Sequence, residues 1–294
     1  MTSYEYHRPK TLEEALKLKA SIAGARWLAG GTDLLVQFNK RSKPLPPAVI
    51  SLRNIDELCA IDARDGGLRI GSMVSLTDIA AHPAIRDGFS ALTESIRLFA
   101  SEQIRNVCTL GGNLCNASPA ADCAPPLLVH DARIELQSQA GTRFVELANF
   151  FRGPGQTAIE AGEVLAAVWL SHPRAGCRSA FMKKGRTQMD VAVASVAVRV
   201  EMDGDVCRSA RVAAGAVAPL PLRLPEVEAI LEGARISNDL VSRARQAASR
   251  AVSPITDIRS TETYRRHIVG VFVERALSSL TGGGRVSDAA EVQI

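Results

Sequence analysis

Aromatic side chains make up only 4% of the 294 residues, too few for the successive stacking platforms that hold single-stranded nucleic acids. Charge of one sign is not concentrated either. The 35 Lys and Arg are interleaved with 31 Asp and Glu, for a net charge of +4, so no basic stripe faces a nucleic-acid backbone. No apolar run approaches the roughly 18 residues of a membrane helix, and membrane insertion is not expected. The opening segment Met1 to Pro9 lacks the apolar stretch of a secretory signal, so a soluble, cytoplasmic protein is expected. In that setting the six cysteines (Cys59, Cys108, Cys115, Cys123, Cys177 and Cys207) do not read as a disulfide framework. The trio Cys108, Cys115 and Cys123 has neither the close pairs of structural zinc nor a ferredoxin spacing. These thiols are expected to be buried or half-buried. The five histidines form no paired ligand spacing, so no metal ligand is assigned, and no Ser/His/Asp set is assigned as catalytic. Also missing are G-x-G-x-x-G after a strand and G-x-x-x-x-G-K-[ST], which argues against a Rossmann dinucleotide site and a P-loop.

What the chain does have is two double-glycine loops. Ala29-Gly30-Gly31-Thr32-Asp33 and Thr109-Leu110-Gly111-Gly112-Asn113 each run from apolar residues into small polar ones. Glycine permits positive φ and a close approach to the main chain, and successive N–H groups in such turns converge into anion-binding nests. Thr32, Thr109 and Asn113 add side-chain donors. One such loop is as readily ordinary turn punctuation as a ligand site; two with matching flanks suggest a ligand with two phosphates, held from both sides.

The remaining pattern is α+β. Thr11-Leu12-Glu13-Glu14 is a capping box opening a helix to about Lys19. Arg26 to Ala29 reads as a strand, Leu34 to Phe38 as a buried helix, and Ala48 to Leu52 as a strand. Leu68 to Gly71 opens a second unit, with a helix over Ser90 to Ala100 presenting Leu92, Ile96 and Phe99. A helix over Ala124 to Val129 follows, with Pro125 in its first turn. Arg133 to Gln137 and Thr142 to Leu147 form a hairpin, and Glu163 to Leu170 a strand. Ser171 to Gly176 reads as a linker. Beyond it come strands at Val191 to Val200 and Cys207 to Val217, then helices at Glu226 to Leu231, Asn238 to Val252 and Ser260 to Leu280. In the last, Tyr264, Ile268, Val271, Phe272 and Ala276 share a stripe. The expected units are 1–56, 57–172 and 177–282, with a mobile tail over 283–294.

The two loops, their order and their separation resemble the FAD-binding medium subunit of molybdenum hydroxylases, the group that includes xanthine dehydrogenase and aerobic carbon monoxide dehydrogenase. Tyr4-Glu5-Tyr6-His7-Arg8-Pro9 resembles the usual opening, Ile104 to Leu114 and Asn116 to Asp122 the second flavin segment. Gly153 to Thr157 and Gly162 to Leu165 resemble the third segment, and Tyr264-Arg265-Arg266-His267 with Val273 to Leu277 the C-terminal helix. The resemblance implies an FAD-binding PCMH-type region, vanillyl-alcohol oxidase-like and built of two α+β subdomains. A smaller C-terminal α/β domain of the CO dehydrogenase flavoprotein type, an antiparallel sheet plus helices, follows. It places Arg26, Trp27, Leu28, Ala29, Gly30, Gly31, Thr32 and Asp33 at the cofactor, together with Thr109, Leu110, Gly111, Gly112 and Asn113. Both stretches would hold the FAD pyrophosphate. Ser118, Asp122, Val164, Leu165 and Lys183 join them. Asp122 would accept from FAD hydroxyls, and it also stands where it would cap the next helix. Leu165 would lie near the isoalloxazine and Lys183 would contact the flavin, while Arg186 and Asp190 read as a structural pair.

By the same resemblance the chain is an electron-transfer subunit of an oxidoreductase, incomplete alone. A large subunit would hold the molybdenum–pterin cofactor and a small one two [2Fe–2S] clusters, in a dimer of heterotrimers. FAD here would pass electrons to an external acceptor. A self-sufficient flavoprotein of the same fold and a flavin-free binding module stay open as alternatives.

Overall fold

The computed structural model describes residues 4–42 and 44–281; the glycine-rich tail expected over 283–294 lies outside the described residues. The first unit alternates strand and helix: β1 (Glu5–His7), α1 (Leu12–Ser21), β2 (Arg26–Leu28), α2 (Leu34–Asn39) and β3 (Ala48–Ser51). The strands form a parallel sheet in the order β1-β3-β2, and parallel neighbours need crossovers such as these helices supply. Thr11 caps α1 by accepting from the Glu14 N–H at 3.2 Å. Glu14 reaches back to the Lys10 N–H at 2.9 Å, one residue earlier than an ideal capping box. Leu12, Ala15 and Leu16 then pack on Ala48, Ile50 and Leu52. The helix α2 is not the buried element its composition suggests. Only Phe38 is buried, and Leu35 and Val36 face outward.

The second unit opens with β4 (Ile61–Arg64) and β5 (Gly67–Gly71). Six short helices follow: α3 (Leu76–Ala81), α4 (Pro83–Gly88), α5 (Ser90–Arg97), α6 (Glu102–Arg105), α7 (Leu110–Cys115) and α8 (Ala124–Val129). The hairpin β6 (Arg133–Ser138) and β7 (Gly141–Glu146), the small pair β8 (Phe151–Gly153) and β9 (Gln156–Thr157), and β10 (Val164–Ser171) complete it. Five strands pair antiparallel in the order β4-β5-β10-β6-β7. Strand alternation sends Leu68, Ile70, Ile134, Leu136, Val168 and Leu170 into one core with the helices. It leaves Arg69, Glu135 and Trp169 together on the opposite face. Arg69 grips Glu135 with two bonds of 3.0 and 3.2 Å, and the Trp169 indole adds a third at 2.7 Å. Burial alone would push the Glu135 carboxyl up, yet these donors hold it below its ordinary value.

The last unit contains β11 (Cys177–Lys184), β12 (Ala194–Asp203), β13 (Val206–Gly215), β14 (Leu222–Arg223), α9 (Pro225–Leu231), α10 (Asn238–Arg250) and α11 (Glu262–Thr281). Its antiparallel sheet runs β11-β12-β13-β14. One face, with Val196, Val198, Val200 and Val212, packs on α10 and α11. From the other face, Phe181, Ala197 and Ala213 enter the core of the second unit. Cover on both sides explains why β12 reads as a continuous apolar run. The buried stripe of α11 is not centred on Tyr264, which is exposed. It carries Arg265, Val269, Phe272, Val273 and Ala276. The Arg265 guanidinium donates to the Val193 and Ala216 carbonyls and to Asp257, so a charged residue closes the strand ends where the apolar pattern suggested Tyr264. Arg186 and Asp190 do pair, at 2.8 Å. Among the described residues no helix is long and apolar enough to cross a membrane.

Candidate functional site

All three units wall a single cleft of about 690 Å³, within the range of small-molecule and cofactor sites. The first loop enters it through Arg26, Trp27, Ala29, Gly30, Gly31, Thr32 and Asp33, and the second through Thr109, Gly111, Gly112 and Asn113. Ser118, Asp122, Val164, Leu165 and Lys183 line it as well. Leu28 and Leu110 do not; Leu110 is wholly buried in the second unit's core.

The two loops look alike in sequence but present different chemistry. Among the described residues, no group accepts from the N–H of Gly30, Gly31, Thr32 or Asp33, so these donors are available to an anion. The second loop is no nest. Thr109 is the N-cap of α7, and its glycines form the first helical turn. The N–H groups of Leu110 and Gly111 donate to the Val74 and Ser72 carbonyls at 3.2 and 2.9 Å. Those of Gly112 and Asn113 donate to the Thr109 hydroxyl and carbonyl at 3.1 and 3.0 Å. The glycines also serve the protein before the ligand. A Cβ on Gly30 would sit 2.1 Å from the Val107 carbonyl oxygen, and one on Gly111 would sit 2.6 Å from Ser72 Cβ. They let the first loop lie against the second and the second against β5.

Four polar atoms lining the cleft are buried without a partner among the described residues: Gln37 Oε1, Ser72 Oγ, Asn113 Oδ1 and Asp122 Oδ1. A buried acceptor without a donor costs about 1–3 kcal/mol, so the walls suit a ligand rich in hydroxyls. FAD meets both demands. Its ribityl and ribose hydroxyls would be donors for these oxygens, and its pyrophosphate would be an acceptor for the first loop's N–H groups.

Asp122 and Lys183 meet each other. Lys183 Nζ donates to Asp122 Oδ2 at 2.6 Å and to the Leu98 carbonyl at 3.1 Å. Both side chains of the pair are about 5% exposed (6% and 4%). Burial pushes the Asp122 carboxyl up to about 6, against the pull of Lys183. Asp122 does not cap the next helix, because Cys123 occupies the N-cap position of α8 and no side chain bonds there. The pair with Lys183 has taken that role's place. The wall formed by Val164 and Leu165 is braced from behind. Arg143 grips Glu163 at 2.6 and 2.8 Å and holds its carboxyl below the ordinary value, and the Trp27 indole donates to the Glu163 carbonyl at 2.8 Å.

Several lining residues carried no signal in the sequence. Gln37 and Ser72 lie on elements read only as a helix and a strand end. Lys19 stands 5.7 Å over the Trp27 ring. Phe99 was legible only as a core residue on a helical face, but it is partly exposed and lines the cleft. Phe99→Ala is expected to weaken FAD by about 0.5–1.5 kcal/mol, the worth of an aromatic contact. Titrating flavin-free protein with FAD measures this, and an unchanged affinity would show that the ring does not touch the cofactor. Cys108 and Cys123 are buried as expected, but Cys115 is exposed, on the last turn of α7. Among the described residues no three His, Cys, Asp or Glu side chains are placed to hold a metal.

Residues 2–173 match the family model described as the FAD binding domain in molybdopterin dehydrogenase, and residues 179–280 match the CO dehydrogenase flavoprotein C-terminal domain. The xanthine dehydrogenase FAD-binding subunit of Escherichia coli O157:H7 is 32% identical, over 96% of this chain and 98% of its own length. The carbon monoxide dehydrogenase medium chain of Afipia carboxidovorans is 31% identical, over 94% and 96%. The structure of reconstituted CO dehydrogenase from Oligotropha carboxidovorans superposes with a TM-score of 0.92 at 30% identity, covering 96% of this chain and 99% of that one. With both domains matched in order and a cleft whose donors and acceptors suit FAD, the chain belongs to the FAD-binding medium subunits of the molybdenum hydroxylase family.

Proposed function

We propose that this chain is the electron-transfer subunit of a cytoplasmic molybdenum hydroxylase. It would take electrons from two [2Fe–2S] clusters on a small partner chain and deliver them to an external acceptor. A large partner would hold the molybdenum–pterin cofactor and hydroxylate the substrate, the three chains forming a dimer of heterotrimers. FAD, when bound, supplies the redox chemistry of this chain. The observation that carries the reading is the meeting of three units at one cleft, with open N–H groups, unpartnered oxygens and a buried cation.

The residues divide the work of holding the cofactor. Gly30 to Asp33 offer N–H donors to the pyrophosphate, while Thr109 to Asn113 shape the opposite wall and offer the Asn113 oxygen. Asp122 accepts a hydroxyl on its unpaired oxygen, and Val164 and Leu165 give the ring system an apolar wall. The units 1–56 and 57–172 form the cradle, and the unit 177–282 contributes Lys183. Its ammonium favours the reduced cofactor, whose negative charge is greater, through its Coulomb field.

The test is an absorbance spectrum of the chain purified with its natural neighbours, followed by denaturation and identification of the released chromophore. Released FAD with iron–sulfur absorbance from co-purifying chains is the expected result. FAD and turnover on this chain alone would favour a self-sufficient flavoprotein, and the absence of flavin in both preparations would leave a binding module.

A further inference from the structure

Among the described residues, the strand β11 lies at one edge of its sheet and pairs only with β12. Its other edge is occupied by a helix, α5, in a repeating match. Ser90 Oγ donates to the Ser179 carbonyl at 2.5 Å, Glu94 Oε2 accepts from the Phe181 N–H at 2.6 Å, and the Leu98 carbonyl accepts from Lys183 Nζ at 3.1 Å. The helix contributes every fourth residue and the strand every second. Four helical residues rise about 6.0 Å and two strand residues about 6.6 Å, so the two repeats stay in step over the three contacts. The first is reinforced, since Ser179 Oγ also accepts from the Ala91 N–H at 3.2 Å and meets His130 Nε2 at 3.3 Å. The last ends in the cleft, on the lysine paired with Asp122.

Only the middle contact joins a carboxylate to a main-chain N–H, a charge-assisted bond stronger than a neutral one. It lies two residues before Lys183, and although burial pushes the Glu94 carboxyl above its ordinary value, the Phe181 N–H and the Arg97 charge both oppose that rise. We propose that Glu94 is a positioning residue for Lys183: by accepting the Phe181 N–H it fixes the register of β11 along α5, and so the reach of the ammonium into the cleft. The inference rests on the reading of Lys183 as the cation that acts on the bound flavin. Glutamine keeps an acceptor oxygen at the same reach. Leucine removes it, and aspartate withdraws it by one methylene.

The experiment measures the midpoint potential of FAD in the purified complex for Lys183→Met, Glu94→Leu, Glu94→Asp and Glu94→Gln. Lys183→Met is expected to lower the potential, because the reduced cofactor loses a favourable charge. Glu94→Leu is expected to lower it in the same direction by a substantial part of that shift, and Glu94→Gln to leave it near wild type. If Glu94→Leu does not fold, Glu94→Asp carries the test with the same expected direction. A shift in Lys183→Met with none in Glu94→Leu or Glu94→Asp overturns the positioning role and leaves the reading of Lys183 standing. An equal shift in Glu94→Gln overturns the claim that the acceptor matters. No shift in Lys183→Met removes the reading of Lys183, and the positioning role with it.

Discussion

Asp122→Ala is expected to destabilise the flavin-free chain by about 3 kcal/mol, the lower end of what breaking a buried ion pair costs. The substitution leaves the Lys183 ammonium, whose side chain is 6% exposed, with the Leu98 carbonyl as its remaining bond. Water entering the cleft keeps the cost at the lower end. FAD should also bind more weakly by about 1.5–3 kcal/mol, for the loss of one hydrogen bond to a charged group. Denaturant unfolding measures the first effect and FAD titration the second; a stability loss under about 1 kcal/mol would mean a solvated pair of little worth. The same carboxyl predicts a pH dependence. Its folded value of about 6 lies above its ordinary 3.8, so the folded state holds this proton more tightly than the unfolded one. The stabilisation is therefore complete below about pH 4 and is lost as pH rises through 6, amounting to roughly 2–3 kcal/mol. Asp122→Asn has no such proton to lose. Between pH 4 and 6 the wild type should lose stability relative to this variant, and parallel profiles would contradict the assignment.

Neighbouring glycines of the first loop should respond very differently to alanine. In Gly30→Ala the new methyl meets the Val107 carbonyl at 2.1 Å. That is backbone, which no rotamer change relieves. About 3 kcal/mol of stability should be lost, the upper part of the overpacking range, with FAD occupancy lost as the two loops separate. Gly31 has φ of +75°, and the nearest neighbours of its added methyl are the Leu35 and Leu28 side chains, at 3.0 and 3.2 Å. Those side chains can turn away, leaving a left-handed backbone cost of about 1–2 kcal/mol. Gly31→Ala should therefore keep FAD with reduced affinity. Thermal unfolding and flavin content of the two purified variants decide the matter, and equal behaviour would contradict the loop packing.

This contrast shows what the sequence could and could not convey. Glycine in both loops was legible as a sign of tight backbone geometry, and their pairing pointed to a ligand with two phosphates. Which partner required each glycine was not legible, because Gly30 answers to Val107 and Gly111 to Ser72, far along the chain. The second loop misled for a local reason. Glycine disfavours helix, yet the Thr109 cap and the pairing with Val74 and Ser72 start α7 there. The strand β11 gave no alternating apolar signal because Ser179 and Lys183 point into another unit, where polar partners wait. Asp122 and Lys183 were each placed at the cofactor by resemblance. That they bond to one another, 61 residues apart, is a tertiary fact.

The helix along the edge of β11 also bears on how the chain is made. A bare edge strand is a template for pairing with another copy of itself, and newly made chains are most exposed to that hazard while incomplete. Here the protecting helix ends at Arg97, whereas β11 begins at Cys177. Synthesis from the N-terminus thus delivers the guard before the strand that needs it. A fragment starting at β11 would be born without its guard, and it should precipitate unless the preceding residues are supplied in trans.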